Sequence, residues 1–419
     1  MITVTTLGAI VALAVAIILI LKKVPPAYGM IVGALIGGLV GGADLTQTVK
    51  LMIDGAQGIT TAVMRILAAG MLAGVLIESG AANTIAETIV KKLGETRALM
   101  ALILATMILT TAGVFIDVAV ITVSPIALAL AKRGNLSKMA TLFAMIGGGK
   151  AGNIMSPNPN AIAASDTFHL PLTSVMTAGI IPAIFGVILT YFLANLLIKK
   201  GSKVESYEVT EMSDDLPKFL PAIVAPLTAI ILLTLRPIAG IQVDPLIALP
   251  VGGILGAICM GKARSINQFA VIGLGKMAPV AIMLLGTGAL AGVIANSSLK
   301  DVLIENLTIS GLPSYLLAPI SGILMSLATA STTAGTVVAS QVFSGTLLEL
   351  GVSGLASAAM IHAGATVLDH MPHGSFFHAT GGSMNMDIRE RLKLIPYETA
   401  VGLIMTVIST LIFGVFNIF

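Results

Sequence analysis

The sequence predicts an all-α polytopic membrane protein, built from two inverted repeats that each hold a hairpin and a broken helix. Three observations lead there: composition, long uncharged runs, and an internal match between the halves. Of 419 residues, 56% are hydrophobic and only 10% charged, and the mean hydropathy is +1.01. A soluble domain carries about a quarter charged residues, so lipid must cover part of this chain. Residues 1–21, 24–43, 167–198, 277–299 and 399–419 have no charged side chain, and residues 306–348 form an uncharged run of 43. A bilayer core needs roughly 20 apolar residues per helix, which gives about 10–12 membrane segments. The runs are continuous rather than alternating, as helices require and barrel strands do not.

Basic clusters orient the segments, because cytoplasmic loops are enriched in Lys and Arg. Lys22/Lys23, Lys91/Lys92/Arg97, Lys132/Arg133/Lys138, Lys199/Lys200/Lys203, Lys262/Arg264 and Arg389/Arg391/Lys393 are placed inside. The first helix then enters, residues 27–43 exit and residues 59–78 return. Residues 98–131 start and finish inside, as a dipping hairpin or two full spans. Residues 139–165 cross outward and 174–198 come back. Residues 199–218 hold nine charged side chains and read as a cytoplasmic linker between an N-terminal half, 1–198, and a C-terminal half, 219–419. In the second half 219–235 exits, 245–261 returns and 277–295 exits. Residues 312–348 begin and end outside, 353–384 cross inward and 399–419 exit. The two hairpins therefore enter from opposite faces.

Other classes are set aside on simple grounds. The first apolar run is followed, not preceded, by Lys22 and Lys23, unlike a cleaved signal. Cys259 is the single cysteine, which excludes an internal disulfide. A net charge of +3, scattered, offers no nucleic-acid surface. Gly147-Gly148-Gly149-Lys150-Ala151 lacks both the spacing and the Ser/Thr of a nucleotide-binding loop.

The repeat is visible in short matches. Gly70-Met71-Leu72-Ala73-Gly74-Val75 reappears in the second half as Gly288-Ala289-Leu290-Ala291-Gly292-Val293. At a nearly equal offset, Thr110-Thr111-Ala112-Gly113 reappears as Thr332-Thr333-Ala334-Gly335. After each hairpin comes a stretch that cannot remain one helix. The first runs from Gly147 through Asn153, Ser156-Pro157-Asn158 and Pro159-Asn160; the second runs from Gly364 through Asp369-His370-Met371-Pro372-His373-Gly374-Ser375. Proline removes an amide donor and glycine eases unwinding. Irregular backbone at this depth is tolerated only when it lines a cavity or is buried in protein. A broken helix also offers a half-helix N-terminus with free N–H groups, which attracts anions. The expected binding groups are Asn153, Ser156, Asn158, Asn160, His373 and Ser375, with Thr110, Thr111 and Gly113 at one tip and Thr332, Thr333 and Gly335 at the other. The bland alternative is a set of packing kinks.

Charges inside a span are expensive and usually functional. Lys150 lies about eleven residues into its crossing, near mid-depth, where it meets either a substrate carboxylate or an Asp. Asp369 lies at similar depth and Asp117 sits beside the first tip; poorly solvated carboxylates there are suited to carry a proton. His362, His370, His373 and His378 crowd one region, fit for proton relay, substrate contact, backbone hydrogen bonding or a metal. No further residue supplies an obvious fourth metal ligand.

Ser156-Pro157-Asn158-Pro159-Asn160-Ala161, Ala178-Gly179-Ile180-Ile181-Pro182, Ile361-His362-Ala363-Gly364 and the 369–377 stretch resemble the gluconate permease family of organic-anion:proton symporters, within a wider ion transporter superfamily. That resemblance implies an elevator-type fold, with a dimerising scaffold and a mobile domain of two hairpins and two broken helices. It also implies residence in a bacterial inner membrane, a homodimer, no cofactor, and proton-driven uptake of a sugar acid or hydroxy acid with Asp117, Asp369 and His370 in the coupling. The chain departs from the family pattern at Asn158 and Asn160 and at residues 329–335, where an arginine is expected; its duty would pass to Lys150. A sodium-coupled di- or tricarboxylate carrier is the alternative, and a membrane enzyme using the histidines is a third reading.

Overall fold

The structure is a computed structural model describing residues 4–94, 97–205, 216–241, 243–299, 301–302, 305, 309, 311–372 and 374–418, without the side chains of 236–238. His373 lies outside the described residues. Helices dominate the described residues, which contain no strand beyond isolated bridges.

Helix α1 (Thr6–Leu21) starts where the Thr5 hydroxyl accepts the Gly8 amide at 3.3 Å and ends before Lys22. Pro26 opens α2 (Pro26–Val40) at the one helical position where its missing amide is harmless. The two helices pack through small residues, which let backbones approach as membrane helices require. A Cβ on Gly37 would stand 2.3 Å from that of Ala12. A capping box of Asp44 and Gln47 begins α3 (Leu45–Gln57). Only Gly58 and Ile59 separate it from α4 (Thr60–Glu78).

Next come α5 (Ala81–Leu93), the hairpin of α6 (Ala98–Thr111) and α7 (Ile116–Arg133), the broken pair α8 (Lys138–Asn153) and α9 (Pro159–Thr167), then α10 (Leu172–Ala178) and α11 (Ile180–Leu197). The second half supplies α12 (Phe219–Ala239), α13 (Pro245–Cys259) and α14 (Ile266–Ala295). It continues with the hairpin of α15 (Leu317–Thr329) and α16 (Thr332–Glu349), the broken pair α17 (Gly354–Gly364) and α18 (Ser375–Ser383), and finally α19 (Ile388–Leu392) and α20 (Ile395–Thr410).

Two sequence expectations change here. The crossing expected at 277–295 is a 30-residue helix that begins at Ile266 and takes in Lys276. At 1.5 Å per residue it is about 45 Å long. The charge at 276 does not end the helix, because its side chain reaches a cavity. Also, among the described residues, only four helical stretches are long and apolar enough to cross a bilayer unaided: Thr60–Glu78, Leu172–Leu197, Ala263–Ala295 and Ile388–Val415. Several other apolar helices are shorter, such as Ala98–Thr111 and Pro245–Cys259. A helix the length of Ala98–Thr111 reaches only about 21 Å.

Burial separates the helices. Every residue of α8 is buried, as is α17 from Ala356 onward. Ile184, Ile188 and Phe192 on α11, with Leu220, Leu227 and Ile231 on α12, are exposed apolar side chains that match lipid.

Packing contacts recur at a fixed offset between the halves. A Cβ on Gly74 would lie 2.1 Å from the Phe269 carbonyl oxygen, and one on Gly292 would lie 2.1 Å from that of Leu51. Gly292 follows Gly74 by the same number of positions as Phe269 follows Leu51, so the two contacts are reciprocal. Gly70 against Gly273 and Gly288 against Gly55 give 2.8 Å each, at that same offset. Between α6 and α8, Gly148 meets the Ile103 carbonyl at 2.1 Å, and between α15 and α17 Gly364 meets that of Pro319 at 2.4 Å. Here too each partner of the second contact follows its counterpart in the first by one shared offset.

Candidate functional site

Both helix breaks have local causes. In the first, Asn158 caps α9 by accepting the Ala161 amide at 3.0 Å, and Pro159 fills the first helical position. The Asn158 amide donates to the Asn153 carbonyl at 2.7 Å and to its side-chain oxygen at 2.6 Å, which ties the two half-helices together. In the second, residues 365–372 leave the helix and α18 restarts at Ser375. Each hairpin tip needs a left-handed residue. Gly113 supplies it at φ +103° in the first and Ala330 at φ +47° in the second.

A cavity of about 1020 Å³ lies where these features meet. One wall is the α1–α2 tip, including Lys23, together with Lys276, Pro279 and Met283 of α14. Both hairpin tips form another, through Asp117 and through Ser331, Thr332 and Thr333. The breaks contribute Asn153, Asp369, Ser375 and His378. Asn153 and Asp369 are corresponding positions, related by the offset that also relates Gly148 and Gly364.

Behind the cavity wall sits a fully buried ion pair. The Lys150 ammonium donates to Asp369 Oδ1 at 2.6 Å and to the Thr366 carbonyl at 2.6 Å, and lies 3.0 Å from His370 Nδ1. His370 Nε2 is 3.1 Å from the Ile395 carbonyl and 3.1 Å from the Thr399 hydroxyl. The Ile395 carbonyl can only accept, so Nε2 carries a proton, while Nδ1 lies within reach of both the Lys150 ammonium and, at 3.1 Å, Asp369 Oδ1. Lys150 is fully buried within this cluster and does not line the cavity. Asp369 is held on its other side as well, where Oδ2 accepts from the Thr332 hydroxyl at 2.5 Å.

The second tip is tied to both breaks. Thr332 reaches Asp369, while Thr333 donates to Asn160 Oδ1 at 2.6 Å; Asn160 in turn lies 3.4 Å from His362 Nε2. Asp117 accepts the Val118 amide at 2.9 Å, as a carboxylate in a first helical turn does. The Asn153 Nδ2 and Ser156 Oγ atoms are buried without a partner among the described residues.

Of the expected binding residues, Asn153, Thr332, Thr333 and Ser375 line the cavity, as do the acids Asp117 and Asp369. Asn158, Asn160, Lys150 and His370 stand one contact behind it. Thr110 and Thr111 turn inward instead, bonding back to Thr106 and Met107, and Thr110 packs on Gly152. Gly113 shapes its turn, and Gly335 packs against Ser326. Among the described residues no group of three His, Cys, Asp or Glu side chains could hold a metal ion.

Sequence reasoning missed Lys276 as a cavity residue and placed Lys23 in a loop. The signal was present: Lys276 is the single charge between Arg264 and Lys300, followed by Pro279.

A second cavity, of about 450 Å³, meets the broken helix at the far end of α9. It is lined by Gly58, Thr61 and Arg65, by Asp166 and residues 169–173, and by Leu233 and residues 243–245. Gly58, Thr61 and Arg65 correspond to Lys276, Pro279 and Met283 of the first cavity, at the offset that relates Gly74 to Gly292. Arg65 joins three elements here. Its Nε donates to Asp244 Oδ1 at 3.1 Å, Nη2 lies 2.5 Å from Asp244 Oδ2, and Nη1 pairs with Asp166.

Comparison with known proteins agrees with this architecture. The chain matches the family described as GntP family permease over residues 2–416. It is 78% identical over 418 residues to an uncharacterized transporter of Haemophilus influenzae, spanning 100% of both chains. It is 24% identical to a gluconate permease of Pseudomonas aeruginosa (96% of this chain, 95% of the relative). It is also 23% identical to a high-affinity gluconate transporter of Escherichia coli (93% and 95%). The crystal structure of the YdaH transporter of Alcanivorax borkumensis has a similar fold, with a TM-score of 0.67 at 17% identity over 89% of this chain and 90% of that one. The chain belongs to the GntP permease family and is a multi-pass inner-membrane transporter rather than an enzyme.

Proposed function

We propose that this chain is a secondary active symporter that takes up a gluconate-like sugar acid with protons. The observation that carries the reading is the larger cavity. It joins hydroxyl and amide groups suited to a polyhydroxy chain with carboxylates and lysines, at the meeting point of both tips and both breaks. Relatives named for gluconate favour a sugar acid over a di- or tricarboxylate.

The contacts that recur at constant offsets support a construction from two inverted repeats. Under this reading, α1–α4 and α12–α14 form the scaffold. The bundle of α6–α9 and α15–α18 carries the cargo past it, in a homodimer held by the scaffolds. The larger cavity shares its side of the membrane with Lys22 and Lys23, the cytoplasmic face by charge.

Asp369 offers a route from proton to motion. Both its oxygens are engaged, one by Lys150 and one by Thr332. Protonation weakens the charge-assisted contacts that pin the second tip to the second break. The tip is then freer to move when a proton is bound.

Uptake of radiolabelled D-gluconate into proteoliposomes tests the proposal, with proton and sodium gradients imposed separately. An inward proton gradient should drive accumulation and a sodium gradient should not. Sodium-dependent uptake that ignores pH would overturn the coupling assignment.

A further inference from the structure

We propose that Lys276 is the counter-charge for the cargo's carboxylate, with Lys23 drawing the anion to the cavity mouth. This rests on the sugar-acid reading above. An anion in a membrane cavity needs a cation, and the obvious candidate, Lys150, is fully buried against Asp369 and Thr366 and does not line the cavity. Lys23 and Lys276 line the cavity on its scaffold side, and neither has an ion-pair partner among the described residues.

Lys276 is the eleventh residue of α14, about 15 Å along the helix. A lysine at that depth is costly unless it meets a partner or a water-filled space. Here it is half-buried and faces the cavity. Lys23 is exposed at the α1–α2 tip, where long-range attraction rather than close contact is its contribution.

The second cavity gives the contrast. The position that corresponds to Lys276 there is Gly58, which has no charge to offer. The cation there, Arg65, is engaged by two carboxylates. The cargo's carboxylate therefore finds a free ammonium from one side of the membrane only. Because Lys276 belongs to the scaffold, moving the bundle withdraws the cargo from it. Two properties follow: selectivity for a charged sugar acid over an uncharged polyol, and tighter binding when the site faces the Lys22/Lys23 side.

The test is binding of D-gluconate and of D-glucitol, an uncharged analogue with the same carbon chain, to the full-length protein in nanodiscs by titration calorimetry. Lys276→Gln should weaken D-gluconate binding by on the order of 10- to 100-fold, the worth of a charge-assisted contact, and leave D-glucitol unchanged. Lys276→Arg should stay near wild type, and Lys23→Gln should show a smaller loss that fades at high salt. Chemical rescue separates charge from folding. Lys276→Cys, in a Cys259→Ser background, should regain D-gluconate affinity after aminoethyl but not methyl thiosulfonate treatment. Wild-type affinity in Lys276→Gln, or equal rescue by both reagents, overturns the assignment. If the wild-type protein binds no sugar acid, the sugar-acid reading falls and this inference falls with it.

Discussion

The two cavities occupy corresponding places yet differ in what their cations do. Each is bounded by the tip of a helix pair, by three positions related by one offset, and by a half-helix beyond a break. In the larger, Lys276 and Lys23 face open space. In the smaller, Arg65 of α4 holds both Asp244, at the start of α13, and Asp166 of α9. A cation that binds cargo must be left free, whereas one that holds two bodies together must be fully engaged. Lys276 and Met283 stand at the fixed offset from Gly58 and Arg65, so matched positions carry different side chains toward the two cavities.

The largest expected effect lies at the ion pair inside the bundle. Lys150→Met leaves Asp369 buried without its partner, a loss of about 3–5 kcal/mol. Thermal unfolding in detergent should show a sharply lowered midpoint and little folded protein. The double variant Lys150→Met/Asp369→Leu should recover folding, since apolar replacement of a buried pair is often neutral, but not proton-driven uptake. Recovery of both would make the pair purely structural.

Next is the tip itself. Thr332→Val removes the hydroxyl that Asp369 accepts, worth about 1.5–3 kcal/mol for a bond to a charged group. We expect uptake with a changed pH profile, measured across proton gradients of graded size. An unchanged profile would separate the tip from coupling.

The clamp comes third, because its groups are partly exposed and screened. Arg65→Ala should raise the thiol reactivity of a reporter Thr61→Cys by about tenfold, an opening worth about 1.4 kcal/mol. The reagent is to be applied from the face opposite Lys22. No increase would mean that packing alone closes the smaller cavity.

The smallest effect is expected at Gly58. Its φ is −58° and a Cβ there would lie 3.4 Å from the nearest atom. Gly58→Lys should shift stability by less than about 1 kcal/mol, checked by the unfolding midpoint. It transplants a lysine to the position that corresponds to Lys276, beside the acids that hold Arg65.

Much of this organisation was legible in the sequence. Gly and Pro at 147–159 and 364–374 marked both breaks, and the matched runs at 70–75 and 288–293 fall on helices with reciprocal contacts. Side-chain direction was less legible. The Thr-Thr-Ala-Gly match does not mark equivalent places: Thr110 ends the first arm of its hairpin and packs on Gly152, whereas Thr332 opens the second arm of its own and faces the cavity. The packing contacts of these segments recur at a shorter offset than the motif does, so a match this short does not fix the register between the halves. Lys150 looked like the anion's partner because its depth was readable and its neighbours Thr366, Asp369 and His370, all from the other half of the chain, were not. Lys276 was overlooked because a charge was taken to end an apolar segment, whereas a helix continues through it when the side chain has a cavity to reach.

The most direct test of the central claim is D-gluconate accumulation in proteoliposomes under an imposed proton gradient, comparing wild type with Asp369→Asn. We predict proton-driven accumulation in the wild type, unaffected by sodium. The variant should exchange gluconate across the membrane without concentrating it. Proton-driven accumulation in Asp369→Asn equal to wild type would contradict the account.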